Sequence, residues 1–177
     1  MGLLDRLLGR QSDHAPPSWP QMYLVPTGLD AMSSGANKYM RGFFIRDRET
    51  DRSISHQELS ELVPGAVVFN VAGTSHRQGA LQGPAFVPGE PVKLIPEPDN
   101  PYDHNAVAVW DTNLRKHIGY VPKDLAPAIG SIYRGREPFG ATVLFEFLQG
   151  SRRIALSVLV APASFLETLR IEDDEDV

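Results

Sequence analysis

The chain is 177 residues long and 42% apolar, which suits one ordinary domain with extensions or two very small ones. Its 17 basic side chains against 22 acidic ones give a net charge of -5, which argues against a protein that coats nucleic acid through bulk charge. There is no cysteine, and that excludes disulfides, Cys-ligated zinc and thiol catalysis together.

The opening "MGLLDRLLGR" carries an apolar rhythm of Leu3, Leu4, Leu7 and Leu8 but no run long enough for a signal peptide or a spanning helix. A cytoplasmic location is the default expectation. The Pro-rich, polar "QSDHAPPSWP" closes residues 1–20 as an N-terminal segment and linker. Residues 21–65 form an extension of lower regularity. A Gly/Ser/Asn-rich piece, "TGLDAMSSGANKY", precedes "MRGFFIRDR" and then "SHQELSELVPG". In the last of these, Ser55 and Glu58 have the spacing of a capping box, which predicts a short helix over Gln57 to Leu62 stopped by Pro64 and Gly65.

From Ala66 the pattern turns to β. "AVVFNVAG" is β-branched and apolar, and "EPVKLIPE" follows after a Gly/Pro-rich connection. "AVAVWD" predicts a third strand, with Val107 and Val109 on one face and Ala108 and Trp110 on the other. "KHIGYVP" is a fourth, joined to it by "DTNLR", which has hairpin length and turn composition. "KDLAPAIGSIY" reads as a helix interrupted early by Pro127. "GATVLFEFL" and "RRIALSVLV" complete the set as a hairpin turning at "QGS". Short strands, tight turns and one or two short helices predict a mainly β chain folded as a small closed or half-closed barrel over residues 66–162.

Residues 163–177 end the chain as an acidic tail. Over residues 161–177, Glu167, Glu172, Asp173, Asp174, Glu175 and Asp176 stand against Arg170 alone, a net of -5. Residues 67–160, with nine basic and eight acidic side chains, net only +1. The tail reads as a solvated end; its functional alternative is a mimic of nucleic acid that covers a basic groove.

The most specific stretch is "VKLIPEPDNPYDHNAVAVW" followed by "KHIGYVPKDLAPAI". Through Glu97, Pro98, Asn100, Pro101, Tyr102, Asp103, Asn105, Ala106, Val107 and Val109, then Ile118, Gly119, Tyr120 and Pro122, it resembles the HIRAN domain family. The resemblance spans roughly residues 67–160 and is strongest over 92–130. It implies an OB-like β-barrel that holds the 3' end of single-stranded DNA. Within it, Asn100, Tyr102 and Asp103 would line the pocket, with Tyr102 stacking on a base and Asp103 meeting the terminal hydroxyl, and Lys123 would contact phosphate. The family's aromatic pair on its first strand aligns with His76 and Arg77, so stacking rests on Tyr102, with those two as weaker platforms.

Chemistry supports such a site independently. A terminal ribose hydroxyl donates and an ionised carboxylate accepts, so an aspartate beside a phosphate site distinguishes an end from an internal linkage. Sequence-independent base binding needs an aromatic face and a basic groove, which Tyr102, His76, Arg77 and Lys123 supply between them.

Structural readings compete at each position. Asn100 and Asp103 suit turn formation, and Asn105 suits loop capping. Gly119 and Pro122 read as backbone devices, Tyr120 as half-buried packing and Trp110 as core. Asp99, Asp103 and His104 match no dedicated metal cage, so no metal or other cofactor is expected. Ser75 beside His76 is adjacency rather than a catalytic arrangement, and no phosphate-binding loop of the GxxxxGK[ST] type occurs. The expectation is a non-enzymatic module whose partners are single-stranded DNA or its 3' ends, together with a helicase or nuclease, and which serves DNA repair or processing. The rivals are an adaptor that takes a peptide in the same groove and a nuclease with a cryptic metal site.

Overall fold

The computed structural model describes residues 18–28, 30–31, 38–135 and 137–172, with backbone alone at 30–31. The readings placed on residues 1–17 and on the last five acidic-tail residues, 173–177, lie outside them.

The chain runs β1 (Met22–Pro26), β2 (Asp30–Ala31), β3 (Lys38–Asp47), α1 (His56–Leu62), β4 (Val67–Asn70), α2 (Gln78–Leu81), β5 (Val92–Pro96), β6 (Val107–Asp111), β7 (His117–Tyr120), α3 (Ala126–Tyr133), β8 (Phe139–Gln149), β9 (Arg152–Pro162) and α4 (Ala163–Leu166). Short 3-10 turns at Thr74–Arg77 and Pro84–Phe86 flank α2. One sheet has the order β1-β3-β8-β9-β4, with β2 beside β3; a second has the order β5-β6-β7. All of these ladders are antiparallel; β6–β7 and β8–β9 are short hairpins, whereas β3–β8 and β4–β9 pair segments far apart in the chain.

Two isolated bridges join these sheets. Ala72 and Tyr120 exchange backbone hydrogen bonds of 2.8 and 2.9 Å, and Pro91 pairs with Thr142. The circuit β4, β9, β8, β5, β6, β7 and back to β4 is thereby closed, which makes the mainly β fold a small barrel. Strand β8 serves two edges. Its residues 145–149 pair with β3, while Thr142 faces Pro91. The register irregularity between Val143 and Phe145 lets the strand change partners between those stretches.

Two cores follow from this arrangement. Phe69, Val71, Leu94, Val107, Val109, Ile118, Val143, Leu156 and Val158 fill the barrel, with Ile129 of α3 packed among them. Met22, Phe43, Ile45, Leu59, Leu144, Phe145, Leu159 and Phe165 form a second core under β1, β3, α1 and α4. Strand β9 is buried on both faces: Leu156, Val158 and Val160 enter the barrel, and Leu159 and Ala161 enter the second core. Its apolar run, broken only by the buried Ser157, reflects those two buried faces. The polar exception on β8 is Glu146, fully buried and held by Arg153 Nε at 2.6 Å and Arg41 Nε at 2.6 Å.

The capping box forms as read: Ser55 Oγ accepts the Glu58 amide and the Glu58 carboxylate accepts the Ser55 amide. The helix includes His56 and buries Leu59 completely. Pro127 does not interrupt its helix. It sits in the first turn of α3, where the missing N–H has no intrahelical acceptor to lose. The stretch read as a Gly/Pro-rich connection after β4 is also more ordered than its composition suggests. It buries Leu81 and Phe86 completely, worth roughly 1.5–3 kcal/mol each.

Candidate nucleic-acid interface

The stretch from Glu97 to Ala106 connects β5 to β6 and is tied together by its own polar groups. Glu97 N donates to the Ala106 carbonyl at 2.8 Å, closing the neck of the loop. Asn100 Oδ1 accepts the amides of Tyr102 (3.0 Å) and Asp103 (3.3 Å), and its Nδ2 donates to Glu97 Oε2 at 2.9 Å. Asp103 Oδ1 accepts the Asn105 amide at 2.9 Å, and His104 Nδ1 donates to the Pro98 carbonyl at 3.0 Å. Asn100 is thus committed at both ends of its amide. Asp103 spends one carboxylate oxygen on the turn, and among the described residues nothing holds the other.

A loop pinned in this way fixes what it presents. Tyr102 is 93% exposed, its ring standing off the surface with no packing partner. Burial of a tyrosine ring stabilises a fold, so a ring displayed on a rigid turn gains its free energy elsewhere or not at all. Beneath it lies a depression of about 250 Å³, lined by Ala72, Asn100, Tyr102, Asp103, Ala106, Tyr120, Val121, Lys123 and Ala126. Exposed Lys123, in the turn that leads into α3, makes no ion pair among the described residues. The depression therefore pairs an aromatic face, a carboxylate and a cation at the rim where β4 and β7 close the barrel.

Of the residues singled out in the sequence, Asn100, Tyr102, Asp103 and Lys123 line this depression. His76 and Arg77 do not. They lie on the 3-10 turn after β4, anchored to β9 through Thr74 Oγ1, which donates to the Ile154 carbonyl at 3.2 Å. Arg77 nonetheless reaches the neighbourhood of the site, acting electrostatically on Tyr120 and His117. Desolvation and then the nearby Glu97 carboxylate push the Tyr120 phenol above its ordinary range, with Arg77 opposing.

Sequence reasoning assigned Tyr120 to packing; it is half-buried and also lines the depression. Trp110 is not a core residue. It lies half-buried on the outer face of β6, stacked on His117 with ring centroids 4.9 Å apart and planes at 16°. The alternation read for β6 already placed Trp110 opposite Val107 and Val109, and the outward face of that sheet is not covered by another layer. Among the described residues no group of three or more His, Asp or Glu side chains gathers as metal ligands would, and no helix is long and apolar enough to cross a membrane.

Fold and site together define a small antiparallel barrel module with a loop-borne, aromatic and charged depression at its rim. Residues 64–143 match the HIRAN domain model, and this part of the chain is a HIRAN domain. The helicase-like transcription factor of Oryctolagus cuniculus is 33% identical over 98 residues, covering 51% of this chain and 9% of that protein, so the chain spans less than a tenth of that relative's length. The crystal structure of the HIRAN domain of human HLTF aligns with a TM-score of 0.39 at 23% identity, over 56% of this chain and 78% of that one. A Lactobacillus plantarum protein aligns with a TM-score of 0.42 at 20% identity, over 54% and 95%.

Proposed function

We propose that the HIRAN domain of this chain is a DNA-binding module that takes single-stranded DNA, seats its 3' end in the Tyr102–Asp103 depression, and acts by binding rather than by catalysis. The observation that carries the reading is Tyr102: a 93% exposed ring, held by a self-bonded loop, beside an aspartate and an unpaired lysine. The ring offers a stacking face to any base. The Asp103 oxygen not used by the turn accepts a terminal 3'-hydroxyl, and a 3'-phosphate placed there meets like charge. Lys123 neutralises a backbone phosphate. The depression, at about 250 Å³, is below the roughly 300–1,000 Å³ of ordinary small-molecule clefts, which suits one terminal sugar with its base held outside. Such a module serves DNA repair or processing by delivering a strand end to a helicase or nuclease partner.

Salt dependence tests this. Affinity for a fluorescent single-stranded octamer, measured by anisotropy between 50 and 300 mM salt, should fall linearly in log-log form. The Lys123→Ala variant should lose about 0.7 from that slope, the share of one single-strand phosphate. Affinity that ignores salt, or an unchanged slope in the variant, would assign the groove to an apolar peptide instead.

A further inference from the structure

We propose that the bound strand continues from the depression across the outer face of β5-β6-β7, where Tyr120, His117 and Trp110 form an aromatic track ending beside Lys93, and that the nucleotides 5' of the terminal one stack on Trp110. This rests on the single-strand reading above and extends it to a second binding surface.

The track begins inside the first site, because Tyr120 lines the depression. The His117 ring meets Tyr120 edge-on at 4.7 Å, and Trp110 stacks on His117 at 4.9 Å. Val107, Val109 and Ile118 point into the barrel core, and the register pairs Trp110 with His117 and Ala108 with Tyr120 across an irregularity between Val109 and Trp110, which sets all three rings on the opposite face. Ala108, paired with Ile95 on one side and Tyr120 on the other, is wholly buried. Lys93 lies directly opposite Trp110 in the ladder and is exposed, placing a cation beside the indole.

The remaining bonds prepare the track for a ligand. His117 Nε2 donates to the Gly119 carbonyl at 2.8 Å, which fixes the ring's tautomer and orientation. Burial holds the imidazole below its ordinary pKa, so at neutral pH it is an uncharged stacking partner for the indole. The two tryptophans differ in a way that separates structure from display. Trp19 packs edge-on against Phe165 at 5.9 Å and donates Nε1–H to Ser164 Oγ at 3.1 Å. Trp110 Nε1–H has no acceptor among the described residues. Tryptophan usually finds a partner for that N–H when it serves a core, and an indole without one, half open beside a lysine, fits a surface that meets a ligand.

A Trp19→Phe variant leaves Trp110 as the single tryptophan, so its fluorescence reports the track directly. Titration with oligothymidylates of two to eight nucleotides bearing 3'-hydroxyls should quench that emission only once the oligomer is long enough to pass Tyr120, while the dimer binds without quenching. Trp110→Leu should bind the dimer as the parent does and lose about fivefold or more for the octamer, the loss of one base stack, with Trp110→Phe restoring most of it. If Trp110 only braces the hairpin, Trp110→Leu will lower the melting temperature with octamer and dimer affinities unchanged relative to each other, and emission will not respond; that result overturns the track. A parent protein that binds no oligomer of any length overturns the track and the single-strand reading together. Octamer binding lost in Tyr102→Ala but untouched in Trp110→Leu overturns the track alone.

Discussion

At the scale of single residues, the loop from Glu97 to Ala106 shows one set of side chains meeting two demands. Asn100 and Asp103 satisfy the amides that a tight loop entering a strand leaves open, and in doing so they hold Tyr102 outward and one Asp103 oxygen unoccupied. The competing interpretations weighed from sequence, turn former and ligand residue, are therefore compatible at Asp103. Asp103→Asn separates them. Asparagine keeps an oxygen for the Asn105 amide and removes the charge, so the melting temperature should hardly move while the preference for a 3'-hydroxyl over a 3'-phosphate collapses. A stability loss of about 0.5–2 kcal/mol with end preference intact would make Asp103 a cap and nothing more. The motif exposed these residues to a reader of sequence because turn chemistry is local. Tyr120 was less legible as a neighbour of the site, since its relation to it depends on pairing between distant segments, and His76 and Arg77, singled out from sequence, do not line the depression.

At the scale of elements, the closure of the barrel turns on Gly119. A Cβ there would lie 2.2 Å from the Ala72 carbonyl oxygen and 2.8 Å from Val71 Cγ1, and the residue has φ of +151°. The obstacle is backbone, which cannot swing aside. Gly119→Ala should cost about 1–3 kcal/mol, toward the upper end, and should weaken oligonucleotide binding because it displaces Tyr120, the next residue. Thermal unfolding and anisotropy on one preparation test both; an unchanged midpoint would show that the bridge between Ala72 and Tyr120 yields easily. Sequence marked Gly119 as a backbone device, yet its partner lies in a different strand, and only the fold identifies it.

The strands from β4 to β9 were legible because most carry a run of β-branched and apolar residues bounded by turn formers, and β6–β7 and β8–β9 are joined by short turns. Strands β1 and β3 were not. In β3 the pattern is blurred by Gly42, which reads as a breaker but marks a close approach to β8: a Cβ there would fall 2.1 Å from the Leu144 carbonyl. Arg41 obscured it too, since its partner, the buried Glu146, sits far along the chain.

For the molecule as a whole, the barrel serves chiefly to place a rim. Strands β1 and β3 extend its sheet beyond β8 and cover a second core, while β5, β6 and β7 keep an outer face open beside the depression. The net charge of -5 makes bulk attraction to DNA unfavourable, so the proposed binding rests on a local constellation, in which the Asp103 carboxylate would disfavour a terminal phosphate. The most direct measurement is competition between two otherwise identical single-stranded octamers, one ending in a 3'-hydroxyl and one in a 3'-phosphate, for the wild-type protein at moderate salt. Placing a phosphate within about 4 Å of the Asp103 carboxylate costs on the order of 1–4 kcal/mol, so the 3'-hydroxyl octamer should win by about fivefold or more. Equal competition by the two octamers would contradict the account, because a depression that ignores a terminal phosphate is not reading a strand end.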